Sequence, residues 1–307
     1  MIGRRPLFLT RCTAFLLSAS VISWCGVGQA AEQPSSEGRS LLARYPAIKA
    51  KLEKNQFAAP IYLESAEAEG SLRVDMYGIF NHPFKAVNST LQSPASWCDI
   101  TSLHINIKAC TSRNVADQWL LTLYSGRKSY QPPADAYPLK LKYRVLSEKP
   151  DYLELALAAE EGPLRTKDHR IRLQAAPLDK ERTFVHFSYT YSYGSVARMA
   201  IKSYFNTLAR DKVGFSIVRG KDGKPYYIDG VRGAVERNTV RYYLALQTHI
   251  DTLKAPKASR FEQRISRWYD LTAKYPRQLK EMEKPEYLSS KRREQRNQIL
   301  LQKREGR

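Results

Sequence analysis

Three tyrosines on one predicted strand are the residues best suited to contact a ligand. The segment FVHFSYTYSYG, residues 184–194, alternates between an aromatic face and a mostly polar face. Because successive side chains of a strand point to opposite sides of the sheet, Tyr189, Tyr191 and Tyr193 share one face with Phe187. A buried phenol needs a partner for its hydroxyl, so these rings either hydrogen-bond inside a closed core or border a cavity. The sequence leaves both interpretations open.

Side chains that could perform acid–base or metal chemistry are scattered along the chain. The five histidines show no metal-ligand spacing and are His82, His104, His169, His186 and His249. His104 and His186 fall on the polar parity of their strands, so we expect them to be exposed. Adjacent Glu160 and Glu161 point to opposite faces of a strand and are poorly arranged to act on one substrate. No GxSxG, HExxH, P-loop or GxGxxG motif occurs, so the sequence predicts no metal, no cofactor and no catalytic residue, and it leaves enzymatic activity open.

The first thirty residues have the organisation of an export signal. Arg4, Arg5 and Arg11 precede or begin an apolar stretch too short to span a bilayer, and small residues Gly28 and Ala30 follow it. This order predicts a signal peptide cleaved after Ala30 and a secreted protein, periplasmic where the host has two membranes. The formal net charge of +20 favours polyanionic partners. Outside the cytoplasm, an anionic membrane surface is a better candidate than nucleic acid, which we do not expect as a partner.

Two cysteines remain beyond the predicted signal, Cys98 and Cys110. A pair of cysteines in an oxidising compartment is more often bonded than free, so we predict a disulfide between them. No CxxC motif occurs, which argues against a thiol oxidoreductase or a zinc ribbon.

The middle of the chain has the period-two pattern of consecutive antiparallel strands separated by turn residues. In residues 139–145, apolar side chains alternate with Lys140, Lys142 and Arg144. The predicted sheet therefore has one apolar face and one basic, solvated face, and the apolar face needs a helical cover. The predicted cover is a helix over residues 195–210, directly after the aromatic strand.

Helical patterns also occur at both ends of the chain. A short helix is expected near the start of the mature protein, a long helix near residues 234–253, and another from a capping box at Ser259 and Glu262. The basic end is expected to be a helix that frays into disorder. Its cations are compatible with docking on anionic lipid and equally with a solvated tail. The predicted division is a signal peptide (1–30), an N-terminal helical segment (31–58), a central α+β domain (59–230), a C-terminal helical extension (231–285) and a basic tail (286–307).

The element order is similar to that of a known superfamily. In GIFNHPFKAVNSTLQSPASWCDI, residues 78–100, a strand ends at a His-Pro and two short helices follow, the second with a tryptophan. Together with the meander and the helix after it, this resembles the START/Bet v 1-like helix-grip (SRPBCC-type) superfamily, and within it uncharacterised secreted bacterial members, over residues 72–210. The resemblance implies an α+β fold in which an antiparallel meander sheet curls around a helix, here with additional N- and C-terminal helices. It also implies an elongated apolar cavity, and no functional residue carries over.

These observations predict an exported binding protein whose cavity, between sheet and helix, holds a hydrophobic or amphipathic ligand such as a lipid. The predicted lining residues are Tyr143, Phe187, Tyr189, Tyr191, Met199 and Tyr204. Two alternatives stay open. One is an enzyme acting on such a ligand in the same cavity, and the other is an envelope partner-binding protein with a closed core.

Overall fold

The period-two segments form one eight-stranded antiparallel sheet in the computed structural model, which describes residues 35–68, 70–195, 212–220 and 222–305. The strands are β1 (Ile61–Ala68), β2 (Ser71–Phe80), β3 (Ile107–Val115), β4 (Gln118–Ser125), β5 (Tyr137–Lys149), β6 (Tyr152–Glu161), β7 (Thr166–Pro177) and β8 (Thr183–Tyr193). A separate hairpin pairs β9 (Ile217–Arg219) with β10 (Pro225–Tyr227). The helices of the described residues are α1 (Ser36–Glu53), α2 (Phe84–Leu91), α3 (Pro94–Thr101), α4 (Gly230–Asp251), α5 (Arg260–Ala273) and α6 (Lys284–Glu305).

The strand order confirms the predicted α+β meander. It is β1-β2-β8-β7-β6-β5-β4-β3, so the strands from β3 to β8 each pair with their neighbours in sequence. The last meander strand, β8, returns to pair with β2. Helices α2 and α3 connect β2 to β3. Strand β2 lies next to β8, whereas β3 is the edge strand at the opposite end of the sheet. Ser93 caps α3 by accepting a hydrogen bond from the backbone N–H of Ser96, and Pro94 starts it, as expected for a first helical turn.

Helix α4 covers the apolar inner face of the sheet. It packs against β1, β2, α2, α3 and α5. Its buried apolar residues, including Val240, Tyr243 and Leu244, belong to the same core as the inward side chains of the strands. The helix predicted as the cover, residues 195–210, lies outside the described residues from 196 onward. Within the described part of the chain, the cover comes from the segment that the sequence predicted to be a C-terminal extension.

Helix α1 packs on the opposite, outer face of the sheet. Leu41, Ile48 and Leu52 of α1 form a second buried cluster with aromatic residues of the strands, among them Tyr77 and Phe184. The outer face is therefore covered at one end and basic at the other. The prediction of a wholly solvated outer face was wrong at the α1 end.

His186 lies within this covered region of the outer face, and the prediction that it is exposed was wrong. Its ring stacks on Tyr77 with centroids 4.3 Å apart. One ring nitrogen lies 2.8 Å from Asp75 Oδ1 and the other 2.8 Å from Gln174 Oε1. Burial opposes ionisation of Asp75, but hydrogen bonds from His186 and Arg73 lower the pKa of this carboxyl to about 2. The parity of His186 was assigned correctly, but these partners leave only 13% of its side chain exposed.

The basic C-terminal segment is not a frayed tail over its described residues. Helix α6 packs along β3, the edge strand of the sheet. Gln298 Oε1 accepts a 2.8 Å hydrogen bond from the Cys110 N–H, and Gln302 bonds both the N–H and the C=O of Ser112 at 2.9 Å. An exposed strand edge is a template for pairing with another chain, and these glutamines satisfy it instead. Polar side chains can therefore form the buried stripe of this helix, because the edge strand offers polar partners.

The predicted disulfide is confirmed. Cys98 of α3 is bonded to Cys110 of β3, with a Cα–Cα distance of 5.0 Å, and both residues are buried. Cross-linking residues this close in sequence stabilises a fold by roughly 3 kcal/mol in the chain-entropy account. The bond fixes α3 to the start of the meander, next to the cavity described below.

Candidate functional site

A cavity of about 150 Å³ lies between the inner face of the sheet and α4. Among the described residues, the sheet contributes Ile107, Leu123, Ser125, Leu139, Leu141, Leu157, His169, Ile171, Phe187 and Tyr189; α3 contributes Trp97, Ile100 and Thr101; α4 contributes Asn238, Thr239, Tyr242 and Leu246; and Pro163 also lines the cavity. Most of these side chains are apolar, and a few polar groups are placed among them. Ligand pockets have this composition, although pockets for drug-sized molecules are roughly 300–1,000 Å³ in volume.

The volume limits what the cavity can hold as it stands. An apolar protein cavity of about 150 Å³ is enough for one aromatic ring such as benzene. A sterol or a phospholipid needs several times this space. The cavity therefore fits a compact ligand in its present shape.

The six predicted lining residues are placed differently. Phe187 and Tyr189 line the cavity. Tyr143 is buried in the core, where its hydroxyl donates a 3.0 Å hydrogen bond to the Leu91 carbonyl. Tyr191 is not part of the lining and packs against the His169 ring with centroids 5.4 Å apart. Met199 and Tyr204 lie outside the described residues.

His169 is a cavity residue that the sequence reasoning missed. It is 4% exposed and shares the inward parity of Ile171 and Leu173 on β7. A bulge against β8 interrupts the strand between Lys167 and Arg170, and Asp168 there has a φ of 53°. Counting back two residues from Ile171 would have placed this imidazole on the inner face. It is the ionisable inward residue that the sequence analysis did not find.

The hydrogen bonds of His169 define its tautomer. Thr166 Oγ1 donates its one proton to the Pro163 carbonyl at 2.6 Å, so it must accept from His169 Nε2 at 2.9 Å. Nδ1 is then unprotonated and accepts from the Tyr189 hydroxyl at 2.7 Å. Burial lowers the pKa of His169, consistent with a neutral ring.

Gly162 makes room for this imidazole. A Cβ at position 162 would lie 2.0 Å from His169 Nε2. The glycine is thus required by close approach of a side chain, not by its backbone conformation, since its φ is −142°. Any larger residue would displace His169 and break its hydrogen bonds to Thr166 and Tyr189.

The opposite wall of the cavity belongs to α4. Thr239 is 1% exposed, and its hydroxyl has no hydrogen-bond partner among the described residues. Tyr242 lies three residues after Thr239 on α4 and stacks on His104 with ring centroids 4.7 Å apart. His104 is itself buried, so its predicted exposure was wrong, because α4 and α6 both cover the turn that carries it. Burial raises the pKa of the Tyr189 and Tyr242 hydroxyls, so both stay protonated at neutral pH.

The described residues contain no group of three or more His, Cys, Asp or Glu side chains that could hold a metal ion. Among the helices in the described ranges, none combines the length and the apolar character needed to cross a bilayer.

The path of the chain identifies the architecture. Strand β2 pairs with β8, the last strand of the meander; two short helices separate β2 from the meander; and a long helix lies on the inner face. The chain has a START/Bet v 1-like helix-grip fold. The structure thus confirms the fold that the sequence motif predicted.

No family model matches this sequence, and no curated protein is significantly similar to it. Solved structures with detectable similarity include human StAR-related lipid transfer protein 5, which is 11% identical, with 70% of this chain and 97% of that chain covered and a TM-score of 0.36. An aromatase/cyclase from Streptomyces sp. R1128 is 11% identical, with coverages of 64% and 98% and a TM-score of 0.36. Norcoclaurine synthase from Thalictrum flavum is 10% identical, with coverages of 48% and 82% and a TM-score of 0.32.

Proposed function

We propose that this protein binds a hydrophobic or amphipathic small molecule in the cavity between the sheet and α4. The observation that carries the proposal is the cavity itself, whose walls are largely apolar and include a few fixed polar groups. A closed core would have filled this space, because protein interiors are packed to the density of organic crystals. Apolar area removed from water, at roughly 25 cal/mol per Å², would supply most of the affinity.

The cavity volume sets the size of the ligand. A molecule of about one ring fits the 150 Å³ present. A lipid-like ligand requires the cavity to enlarge, which the sheet and α4 could do only by moving apart. Mass spectrometry of organic extracts from the purified native protein distinguishes these sizes directly.

An enzyme acting in the same cavity is the second candidate, and His169 favours it. A neutral imidazole hydrogen-bonded to a tyrosine hydroxyl is an arrangement that can relay a proton. If the protein is an enzyme, the variant His169→Gln should lose turnover of the bound compound by a much larger factor than it loses binding affinity. Equal turnover in both proteins would exclude this role for His169.

Filling the cavity should abolish binding. Ser125 lines the cavity from β4, and the change Ser125→Phe places a ring inside it. We expect binding of a one-ring probe such as toluene, measured by calorimetric titration, to weaken by about 10-fold or more, since the ring occupies the ligand's space. Thr122→Phe, on the same strand but facing the other side of the sheet, is the matched control and should leave binding unchanged. Unaltered toluene affinity in Ser125→Phe would place binding elsewhere.

We further propose that the protein is exported and works at an anionic lipid surface. The Cys98–Cys110 disulfide supports an oxidising compartment. The tail cations that suggested lipid contact are partly engaged: Lys291 is buried, and Arg292 pairs with Glu262 at 2.9 Å. The outer face of the meander supports the proposal better than the tail does.

Three exposed cations, Lys140, Arg144 and Arg170, define what we call the outer basic face. None of them forms an ion pair with another described residue, whereas neighbouring Lys142 pairs with Glu160. In the strand register, the small residue Ala156 pairs with Arg144 and the small residue Ala158 pairs with Arg170. Anionic headgroups can therefore approach these cations closely, and each cation near such a surface contributes about 1 kcal/mol.

The mature protein, expected to begin at residue 31, should sediment with anionic but not with neutral vesicles. Replacing the three cations of the outer basic face by glutamine should reduce sedimentation strongly, and so should added salt, because screening shortens the reach of exposed charges. A variant that loses the same charge from the tail, at Arg296, Lys303 and Arg304, is the control. If only the tail variant loses sedimentation with anionic vesicles, the tail and not the outer basic face contacts the lipid.

A further inference from the structure

We infer that the cavity selects a ligand with a neutral hydroxyl group on a compact apolar body, of which phenol is the simplest example. This inference rests on the proposed function, since it names the ligand class of the same cavity. It follows from two polar groups on facing walls, Tyr189 of β8 and Thr239 of α4.

The sheet wall offers a hydrogen-bond acceptor. A tyrosine hydroxyl has one proton, and that of Tyr189 is donated to His169 Nδ1 at 2.7 Å. The opposite tautomer, with the proton on Nδ1, is excluded. Thr166 donates its own proton to the Pro163 carbonyl, so it can only accept from His169, and Nε2 must carry the ring proton. The Tyr189 oxygen retains lone pairs and can accept a hydrogen bond from a ligand in the cavity.

The α4 wall offers a donor. The Thr239 hydroxyl is buried and makes no hydrogen bond to any described residue, although a threonine inside a helix can bond a carbonyl of the preceding turn. A buried polar group without a partner is costly, and in native structures such a group commonly marks a missing partner. A ligand that accepts a hydrogen bond from Thr239 removes this cost.

A hydroxyl group meets both requirements at once. It can donate its proton to the Tyr189 oxygen and accept the proton of Thr239. A carboxylate can only accept, an ammonium can only donate, and both would bring an uncompensated charge into a largely apolar site. A methyl group satisfies neither wall. The volume of about 150 Å³ then restricts the rest of the ligand to about one ring.

The test compares phenol with toluene, which has nearly the same size and replaces the hydroxyl by a methyl group. We expect the full mature protein to bind phenol about 10-fold or more tightly than toluene in calorimetric titrations, because a site built to pair a hydroxyl discriminates against its absence. In Thr239→Val the preference for phenol should largely vanish while toluene affinity is kept. The matched control is Thr248→Val, which removes another buried hydroxyl of α4 without a described partner, away from the cavity lining, and should keep the preference.

The outcomes separate this inference from the proposed function. Toluene binding without a preference for phenol, or a preference that survives in Thr239→Val, overturns the hydroxyl inference and leaves an apolar binding cavity standing. Binding of neither compound overturns the hydroxyl inference and also the proposal that the cavity holds a ligand of about one ring. If Thr239→Val does not fold, Tyr189→Phe removes the acceptor on the other wall, and loss of the phenol preference there supports the inference, whereas its persistence refutes it.

Discussion

Replacing Glu294 by glutamine should destabilise the protein by about 3–5 kcal/mol, because this carboxylate is the shared counter-charge of two buried lysines. Lys108 is fully buried and Lys291 is 3% exposed. Their ammonium groups lie 2.8 Å from Glu294 Oε1 and 2.7 Å from Glu294 Oε2. Each ammonium also donates to two backbone carbonyls. Glutamine keeps the size of the side chain but removes the negative charge and turns an amide NH2 donor toward one of the two ammonium groups. Chemical denaturation measures the loss.

The pH dependence of this loss identifies its cause. Burial lowers the pKa of Lys291 to about 8, although Glu294 opposes the shift. Between pH 8 and the ordinary lysine pKa of 10.5, the unfolded chain binds more protons than the folded one, so this group makes stability rise with pH. Without Glu294 the pKa of Lys291 should fall further, and the variant should regain part of its lost stability as the pH rises from 7 to 10.

Glu283→Gln provides the control for the Glu294 variant. Glu283 pairs with Lys280 just before α6, but its side chain is exposed, so its loss should cost under about 1 kcal/mol. A similar loss in both variants, or a loss for Glu294→Gln that is the same at pH 7 and pH 10, would contradict an uncompensated buried charge as the cause.

The strands and their faces could be predicted because alternation is a local property of the sequence. Leu141 and Tyr143 of β5 point inward as predicted, and Lys140 and Lys142 point outward. The same rule, extended two residues back from Ile171, would have found His169. The bulge at Asp168 explains why the pattern looks broken there, since charged residues crowd the strand on both sides of the histidine.

The helical cover could not be predicted, because it depends on contacts between residues far apart in the chain. Residues 195–210 follow the sheet directly, whereas α4 begins nearly forty residues after β8. Nothing local in α4 indicates which surface it meets. The burial of the C-terminal helix could not be predicted either. Lys291, Glu294 and Gln298 share one face of α6, and a polar face of a helix indicates exposure to solvent unless the edge strand that pairs with it is known.

Helix α4 lies so close to the sheet that one strand position has room only for glycine, and this position gives the second prediction. Gly78 of β2 lies on the inward parity, between Met76 and Phe80. A Cβ at this position would lie 2.0 Å from Tyr243 Oη and 2.5 Å from its Cζ. Tyr243 is 1% exposed and packs on Phe80 with ring centroids 5.2 Å apart, so its ring has no open space to enter.

Gly78→Ala should therefore destabilise the protein by about 3 kcal/mol, the upper end of what overpacking costs in a tight core. The sign is informative, because Gly→Ala at an unstrained position usually stabilises a protein by about 0.4–1 kcal/mol through the unfolded chain. Gly194→Ala is the control, since an added Cβ there meets no described atom within 4 Å. It should be neutral or stabilising in the same denaturation experiment.

A double variant tests whether the clash with Tyr243 is the cause. Tyr243→Leu removes the atoms that a Cβ at Gly78 would meet, so adding Gly78→Ala to it should cost much less than 3 kcal/mol, and the two changes should be strongly non-additive. Additive losses would refute the contact as the cause. Because α4 also carries Thr239 and Tyr242, the displacement of this helix in Gly78→Ala should weaken phenol binding, and Tyr243→Leu should restore it in the double variant. The same close approach that stabilises the core thus positions the wall of the cavity.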